Sequence, residues 1–422
     1  MKVKKLGLKN YRGFNHLEID FDSKVNVLIG VNGSGKSSVL DSIAVLLSRV
    51  SAAVISSKAS GRQFSENDIE NKSSMTNNAI TVDFHGKDYQ WNVAKTRQGK
   101  LQQESSSLHD ARTIAETIQR QLSNETDTSI PLLVYYPVNR AVLDIPLRIK
   151  GKHVFDQIAA YDGALTGVKN NFRIFFEWFR NREDIENEQF RKSHEDGLFS
   201  DEKPDLDFQL EAVRSAIIHF LPEFKKPRIK RQPLRMTIEK NDYELIINQL
   251  SDGEKCALAM VGDLARRLAI ANPGLSDPLG GEGVVLIDEV DLHMHPAWQR
   301  RVVPVLTATF PNCQFILSTH SPQVVSEVRS ESIWMLSLQE PEAVHPTGAY
   351  GLDTNRILED VMNVSDRPEV VKNRIHELFL VIDRNELQNA KDILKQIHTD
   401  IGDDPELTKA MVLIRRKEII GK

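Results

Sequence analysis

Several features are scarce in this sequence. The 422-residue chain has two cysteines, Cys256 and Cys313, and neither has a second Cys or a His at metal-ligand spacing. Two cysteines are too few for a disulfide framework, and a buried thiol is the ordinary role of such a residue. Apolar runs have the length of strands, shorter than the roughly 20 residues that a membrane-spanning helix needs. The first residues are charged and include no apolar signal core. These absences predict a cytoplasmic protein with no membrane partner.

The sequence also has little net charge of either sign. Its 54 Lys and Arg residues and its 59 Asp and Glu residues give a net charge of −5. Such a surface gives no general reason to bind nucleic acid, so any contact with DNA or RNA must come from a local patch. One basic run could supply that patch or form a solvated linker, and the linker is the commoner meaning. The run consists of Lys225, Lys226, Arg228, Lys230, Arg231 and Arg235.

Local patterns indicate strands, a turn and a helix at the start of the chain. Three strand patterns precede residue 30, and an amphipathic helix is predicted from about 36 to 47. Further on, alternating residues predict a hairpin with its turn near Gly86. A charged helical stretch carries an apolar stripe, and core packing is a commoner role for a stripe of this kind than a partner surface. The stripe is Phe172, Phe175, Phe176 and Phe179.

Residues 30–37 carry the first chemical motif. They fit the phosphate-loop pattern G-x-x-x-x-G-K-[ST] at every fixed position. The glycines let backbone N–H groups point at phosphate oxygens, at the start of a helix that favours anions. Lys36 is suited to bridging the β- and γ-phosphates, and the Ser37 hydroxyl to holding Mg²⁺. The motif therefore predicts binding of ATP and Mg²⁺. The expected binding residues here are Gly30, Asn32, Gly33, Ser34, Gly35, Lys36, Ser37 and Ser38.

Two later strand patterns end in polar residues suited to the same chemistry. In GVVLIDEVD, four apolar residues deliver Asp288 and Glu289 to the carboxyl edge of a sheet. Asp288 is expected to hold Mg²⁺, and Glu289 is the candidate base for an attacking water. CQFILSTHS repeats the pattern and ends near His320, a position suited to contacting the γ-phosphate.

The sequence LSDGEK, at 250–255, is the third motif and decides the class of phosphate-loop protein. Ser251 and Gly253 open a helix and form a second anion site, made of a hydroxyl and N–H groups. In a fold with one sheet, this anion site cannot reach the nucleotide that the same chain binds. The motif resembles the ABC signature sequence, and in the ABC class this site reaches the γ-phosphate bound by the other subunit. The resemblance therefore implies a two-fold dimer in which each copy completes its neighbour's site.

The order KNYRGF, GVNGSGKS, LSDGEK, VVLIDEVDLHMHP and ILSTHS resembles the SMC/RecF/OLD-like branch of ABC ATPases. This resemblance implies an α/β fold: an ABC-type phosphate-loop ATPase head with a mixed sheet, an antiparallel strand region and an inserted helical lobe. It implies that Arg12 lies near the nucleotide, that Asp291 contacts the opposite subunit, and that His320 is a switch histidine acting with Lys36 and Glu289.

A narrower resemblance is carried by FSENDI at 64–69, VYYPVNR at 134–140 and YGLDTNRILEDVM at 350–362. These phrases are similar to compact ATPases of bacterial phage-defence operons, among them the ATPase subunit of Septu-type systems. That resemblance implies a homodimer or higher homo-oligomer that works with a separate HNH nuclease. A RecF-like ATPase of DNA repair is the alternative. A transporter ATPase subunit is disfavoured, because such chains carry glutamine where Glu254 stands.

The sequence also departs from the family pattern. It has no long coiled-coil arm, and the tail shows no DxD cluster for a second nuclease domain. The family pattern has a glutamine-containing loop, which links the metal to the helical subdomain, after a strand such as the one near residue 136. No glutamine stands there, and Asn139 and Arg140 are the nearest equivalents of this glutamine loop. His293 and His295 form an H-x-H pair without a third ligand, which is weak evidence for a metal.

We expect four segments. They are 1–166, the first part of the ATPase core; 167–227, the inserted helical lobe; 228–345, the second part of the core; and 346–422, a helical tail for partner or assembly contacts.

Overall fold

The computed structural model describes residues 1–124, 127–138, 155–166, 172–195, 206–338 and 342–420, with the side chains of 192–195 and 420 excepted. The strands are β1 Lys2–Tyr11, β2 Phe14–Asp20, β3 Val25–Ile29, β4 Met75–Phe84, β5 Lys87–Thr96, β6 Leu132–Tyr136, β7 Phe224–Arg231, β8 Leu234–Lys240, β9 Tyr243–Ile246, β10 Gly283–Ile287, β11 Cys313–Ser318 and β12 Ile333–Met335. The helices are α1 Lys36–Ile55, α2 His109–Asn124, α3 Phe172–Glu195, α4 Phe208–Phe220, α5 Asp252–Ala271, α6 Pro296–Thr309, α7 Pro322–Val325, α8 Thr354–Arg356, α9 Glu369–Asp383, α10 Leu387–Ile401 and α11 Pro405–Ile420.

A parallel sheet forms the centre of the first compact unit, residues 1–352. Its strand order is β12-β3-β11-β10-β6. Every residue of β6, β10 and β11 is buried, as expected for parallel strands covered on both faces. Because β3, β10 and β11 are parallel neighbours, their carboxyl ends lie at one edge of the sheet. That edge collects the residues of the candidate site.

Antiparallel strands form two further sheets. The first has the order β2-β1-β4-β5, and the second has the order β7-β8-β9. The predicted hairpin is present, since β4 and β5 are joined by His85 and Gly86, both with positive φ. Two such residues give a turn whose twist matches that of the flanking strands. The predicted α/β class with antiparallel strands and a helical region is confirmed.

The phenylalanine stripe of α3 packs inside the first unit. Its four rings are at most 4% exposed, which confirms the predicted core role. One of them, Phe175, fills the space beside Gly262 of α5, where an added Cβ would lie 2.8 Å from the ring. Part of the helical lobe therefore rests against α5, the helix that begins at the LSDGEK motif.

Helix α1 runs to Ile55, eight residues beyond the predicted end at 47. Val50 and Val54 are buried, so the added turns pack like the earlier ones and the helix continues past residue 47. Within the described chain, α1 alone is long and apolar enough to cross a membrane, and 72% of its most apolar window is buried in the fold.

Residues 353–422 form the second compact unit. Helices α9, α10 and α11 pack around a small core of their own, so the predicted helical tail is present. The buried residues of this core are Ile375, Leu378, Val381, Ile382, Ala390, Ile397, Leu407, Ala410 and Ile414. The unit begins close to the predicted boundary at 345/346, and the division into four segments stays a prediction.

Candidate active site

The carboxyl edge of the parallel sheet brings together the residues from three of the sequence motifs. Gly30 follows β3, Asp288 follows β10, and His320 lies two residues beyond β11. Burial lowers the pKa of Lys36, and the nearby carboxylates of Asp288 and Glu289 oppose that shift. A cation and two anions therefore share this edge.

His320 lies in the same electrostatic environment. Burial and the Lys36 cation lower its pKa below 6.5, more strongly than Glu289, Asp291 and Asp288 raise it. The lowered pKa favours the neutral imidazole, which can donate one hydrogen bond and accept another.

The phosphate loop has the backbone that its sequence predicts. Gly35 has φ of +94°, and an added Cβ would lie 2.3 Å from the ring of Phe14, so only glycine fits there. The Lys36 ammonium is buried and donates to the carbonyl oxygens of Gly30 at 2.9 Å and Val31 at 3.2 Å. It thus points back across the loop.

Two hydroxyls of this loop differ in their environments. The Ser34 side chain is 2% exposed, and among the described residues its Oγ has no hydrogen-bond partner. Ser37, at the start of α1, is exposed. Within the part of the chain that the structure describes, the loop offers an unpartnered buried hydroxyl, a lysine bound to loop carbonyls and an exposed serine, which suit a bound triphosphate with Mg²⁺.

The paired carboxylates are held by the end of β11. Ser318 Oγ donates to Asp288 Oδ1 and accepts the backbone N–H of Glu289 at 2.8 Å. Thr319 Oγ1 donates to Asp291 Oδ1. Ser318 and Thr319 were not identified from sequence, although both lie directly before His320 in the polar end of a predicted strand.

The LSDGEK motif begins α5 as predicted. Ser251 caps the helix, and its N–H and hydroxyl both contact the Glu254 carboxylate, which also pairs with Lys240. Gly253 lies against the chain after β10, where an added Cβ would be 2.3 Å from the carbonyl oxygen of His293. Within the described residues, neither Ser251 nor Gly253 hydrogen-bonds to 30–38.

Arg12 reaches the first turns of α1. Its Nη1 lies 3.4 Å from Ser38 Oγ, its Nη2 pairs with Asp41, and its Nε donates to Asp68 Oδ1 at 2.8 Å. Arg62 shares the Asp41 carboxylate through a 2.6 Å ion pair. Asp41, Asp68 and Arg62 were not identified from sequence. The local signal was the S-x-x-D capping box at 65–68, which fixes Asp68.

The FSENDI segment, residues 64–69, packs against the end of β1 beside Arg12. Phe64 packs edge-on against the Tyr11 ring, with the ring centroids 5.2 Å apart. Ile69 forms a β-bridge to Tyr11, and the backbone N–H of Arg12 donates to Asp68 O at 2.8 Å. The segment therefore holds Tyr11 and Arg12 from one side.

His295, one of the two histidines of the H-x-H pair, has a structural role. His295 Nδ1 accepts the N–H of Ala297 and so caps α6. Within the described ranges, no group of three or more His, Cys, Asp or Glu side chains is placed to hold a metal ion by itself. Asn139 and Arg140, the named glutamine-loop equivalents, lie outside the described residues.

Most of the basic run is neutralised within the chain. Lys226 pairs with Glu239, and both Arg228 and Lys230 pair with Glu244, whose pKa they lower to about 2. Arg231 pairs with two acidic residues of α3. The run lies in β7 and β8, so the predicted solvated linker is wrong. Much of its positive charge is already paired, which disfavours a phosphate-binding patch.

Comparison with known proteins gives consistent matches. A family model described as "AAA domain" matches residues 5–248. The chain is 32% identical over 421 residues to the Retron Ec83 probable ATPase of Escherichia coli, covering 87% of this chain and 77% of that protein. It is 34% identical over 385 residues to the Retron Vc95 probable ATPase of Vibrio cholerae, covering 80% and 74%.

Other matches are more distant or shorter. The Septu protein PtuA of Bacillus thuringiensis is 24% identical over 377 residues, covering 86% of this chain and 85% of that protein. The DNA replication and repair protein RecF of Bacillus mycoides is 48% identical over 46 residues, which are 11% of this chain and 12% of that protein. An SMC head solved with the C-winged helix domain of ScpA is 15% identical with a TM-score of 0.46, covering 82% of this chain and 97% of that one.

Proposed function

Since the chain belongs to the AAA-domain family, with the Retron Ec83 and Retron Vc95 probable ATPases among its relatives, we propose that it binds ATP with Mg²⁺ at 30–38 and hydrolyses it beside Asp288 and Glu289. One observation carries this proposal. The parallel register of β3, β11 and β10 sets the phosphate loop, the paired carboxylates and His320 at one sheet edge. A lysine, a Mg²⁺-binding acid and a candidate base are the groups that phosphoryl transfer to water requires.

Each residue has a distinct role in this proposal. Lys36 and the N–H groups of the loop hold the triphosphate, while Ser37 and Asp288 hold Mg²⁺. The metal ion would neutralise phosphate charge during the reaction. Glu289 orients the attacking water and accepts its proton. His320 donates a hydrogen bond to the γ-phosphate through a ring N–H group.

We further propose that a second copy of the chain completes the site. Ser251 is exposed at the start of α5, where the N–H groups of the first turn and the Ser251 hydroxyl form an anion site. That site would take the γ-phosphate bound by the other copy, with Gly253 allowing close approach and Asp291 contacting the opposite chain. Arg12 would lie beside the nucleotide. Two nucleotides would then be shared in a two-fold dimer.

The cellular role we propose is that of a cytoplasmic ATPase subunit in an anti-phage defence complex, acting with a separate HNH nuclease. Similarity to Septu PtuA over 86% of the chain supports this role. A RecF-like repair function is the second candidate, and its support is a match of 46 residues. Contact with DNA or RNA is compatible with both roles.

The shared site is tested by mixing two inactive variants. Lys36→Ala should lose ATP binding, whereas Ser251→Arg should bind ATP but not complete its neighbour's site. In a mixed dimer, both changes fall in one composite site and the other site is intact. ATPase activity should therefore return on mixing. Each variant mixed with the wild-type chain provides the reference.

Glu289→Gln supplies the matched catalytic variant, because it retains the side-chain volume and removes the base. It should bind ATP, lose turnover and accumulate as an ATP-bound dimer in size-exclusion chromatography. Wild-type ATPase activity in Ser251→Arg alone would show that the α5 terminus is not part of the site. Co-purification from the native operon, with mass identification of bound proteins, tests the nuclease partner.

A further inference from the structure

Ser318, the last residue of β11, has a side chain that bridges both carboxylate residues of the candidate site. It is 0% exposed. Its Oγ donates to Asp288 Oδ1 and accepts the backbone N–H of Glu289 at 2.8 Å. A serine hydroxyl has one proton to donate and lone pairs to accept, so one side chain can make both bonds at once.

The residue that Ser318 holds has an unusual backbone. Glu289 has φ of +47°, in the left-handed region that side chains other than glycine rarely adopt. Ser318 accepts hydrogen bonds from two consecutive N–H groups of this turn. Its Oγ accepts the N–H of Glu289, and its carbonyl oxygen accepts the N–H of Val290 at 3.0 Å. Strained conformations of this kind persist where surrounding contacts fix them. Ser318 supplies two of those contacts.

We propose that Ser318 is a positioning residue, which orients the Asp288 carboxylate for Mg²⁺ and holds Glu289 at the angle needed to activate water. This inference rests on the proposed ATPase function, because it assigns Ser318 an effect through Asp288 and Glu289. Ser318 itself touches neither the nucleotide nor water in this scheme. Its hydroxyl acts by fixing two neighbouring groups whose geometry must be set before the reaction.

Ser318→Ala tests the proposal, because it removes only the hydroxyl and leaves the Val290 bond in place. The expected result is an ATPase kcat at least tenfold below wild type and a Mg²⁺ concentration for half-maximal activity raised several-fold. Affinity for a fluorescent ATP analogue in EDTA should stay within twofold of wild type. A purely structural role would not change the Mg²⁺ requirement while leaving metal-free binding intact.

Ser42→Ala is the matched control. Ser42 is also 0% exposed, it lies in α1, and its Oγ has no hydrogen-bond partner among the described residues. It should keep wild-type kcat and Mg²⁺ requirement. Ser318→Thr keeps the hydroxyl and should restore both quantities toward wild type. If Ser318→Ala does not fold, as judged by its melting temperature, Ser318→Thr decides the question in the same assays.

The proposal is overturned if folded Ser318→Ala matches Ser42→Ala in kcat and Mg²⁺ requirement. It is also overturned if folded Ser318→Thr loses activity as completely as Ser318→Ala. Failure of the ATPase function itself has a different signature. In that case Lys36→Ala and Glu289→Gln would also leave the measured turnover unchanged.

Discussion

A buried ion cluster in α5 offers the most quantitative prediction. Asp263 accepts hydrogen bonds from Arg266 and Arg267, each at 2.7 Å, and from the Tyr136 hydroxyl at 3.1 Å. All four residues are buried. Burial raises the Asp263 pKa, but the two guanidinium groups outweigh this effect and lower it from 3.8 to about 2. The anion is therefore held by its neighbours.

Asp263→Asn retains the side-chain volume and removes the charge, leaving two buried cations without their anion. Breaking a buried pair in this way costs about 3–5 kcal/mol. For a unit spanning residues 1–352, an unfolding entropy of about 2.1 cal/mol/K per residue gives roughly 0.7 kcal/mol/K. The melting temperature of that unit should consequently fall by about 4–7 °C in differential scanning calorimetry.

A second variant and the pH dependence of the melting temperature both test the role of the Asp263 carboxylate. Tyr136→Phe removes one hydrogen bond, worth about 1 kcal/mol, and should lower the melting temperature by about 1–2 °C. The carboxylate contributes stability above its unfolded pKa, and that stability is lost only as the pH falls from 3.8 toward about 2. The Asp263→Asn effect should therefore be equal at about pH 5 and about pH 8.

Asp252→Asn is the control on the same helix, because the Asp252 side chain is 83% exposed and pairs only loosely with Lys255. An exposed pair of this kind contributes little, so the melting temperature should change by less than about 1 °C. If Asp263→Asn shifts the melting temperature no more than Asp252→Asn does, the buried cluster does not stabilise the fold as argued.

Two further predictions concern the phosphate loop. Gly35→Ala should lower ATP affinity at least about tenfold in calorimetry, because a Cβ there meets the Phe14 ring at 2.3 Å and the φ of +94° is strained for alanine. Gly99→Ala is the control for backbone strain without the clash, since Gly99 has φ of +76° and nothing within 4 Å of an added Cβ. In NMR of labelled histidines, His320 should titrate below 6.5, and Lys36→Met should move its pKa upward because the nearby cation is removed; an unchanged His320 pKa in Lys36→Met would contradict the shared electrostatic environment.

Much of the architecture could be predicted from local sequence. The strand patterns before residue 30 and the hairpin around Gly86 appear as β1–β3 and β4–β5. These elements alternate or bury residues in ways that local periodicity registers. The motifs could also be assigned to one sheet edge, because strands that precede a phosphate loop or end in paired acids are parallel in this class of fold.

The supporting residues could not be predicted because they depend on register between distant strands. Ile287 pairs with Leu317 across β10 and β11, which sets Asp288 opposite Ser318. A shift of one residue would turn Ser318 to the other face of the sheet. The Asp41 pair with Arg12 likewise joins α1 to the end of β1, and no local periodicity encodes that contact.

Helix α5 links the two ends of the candidate mechanism more directly than its sequence suggests. Ser251 caps its first turn, while Asp263, three turns later, binds the Tyr136 hydroxyl. The carbonyl oxygen of Tyr136 accepts the N–H of Asp288 at 2.9 Å. Tyr136 therefore contacts α5 with its side chain and the Mg²⁺-binding candidate with its backbone. The middle of α5 and the residue that follows β10 are thus joined through one residue of β6.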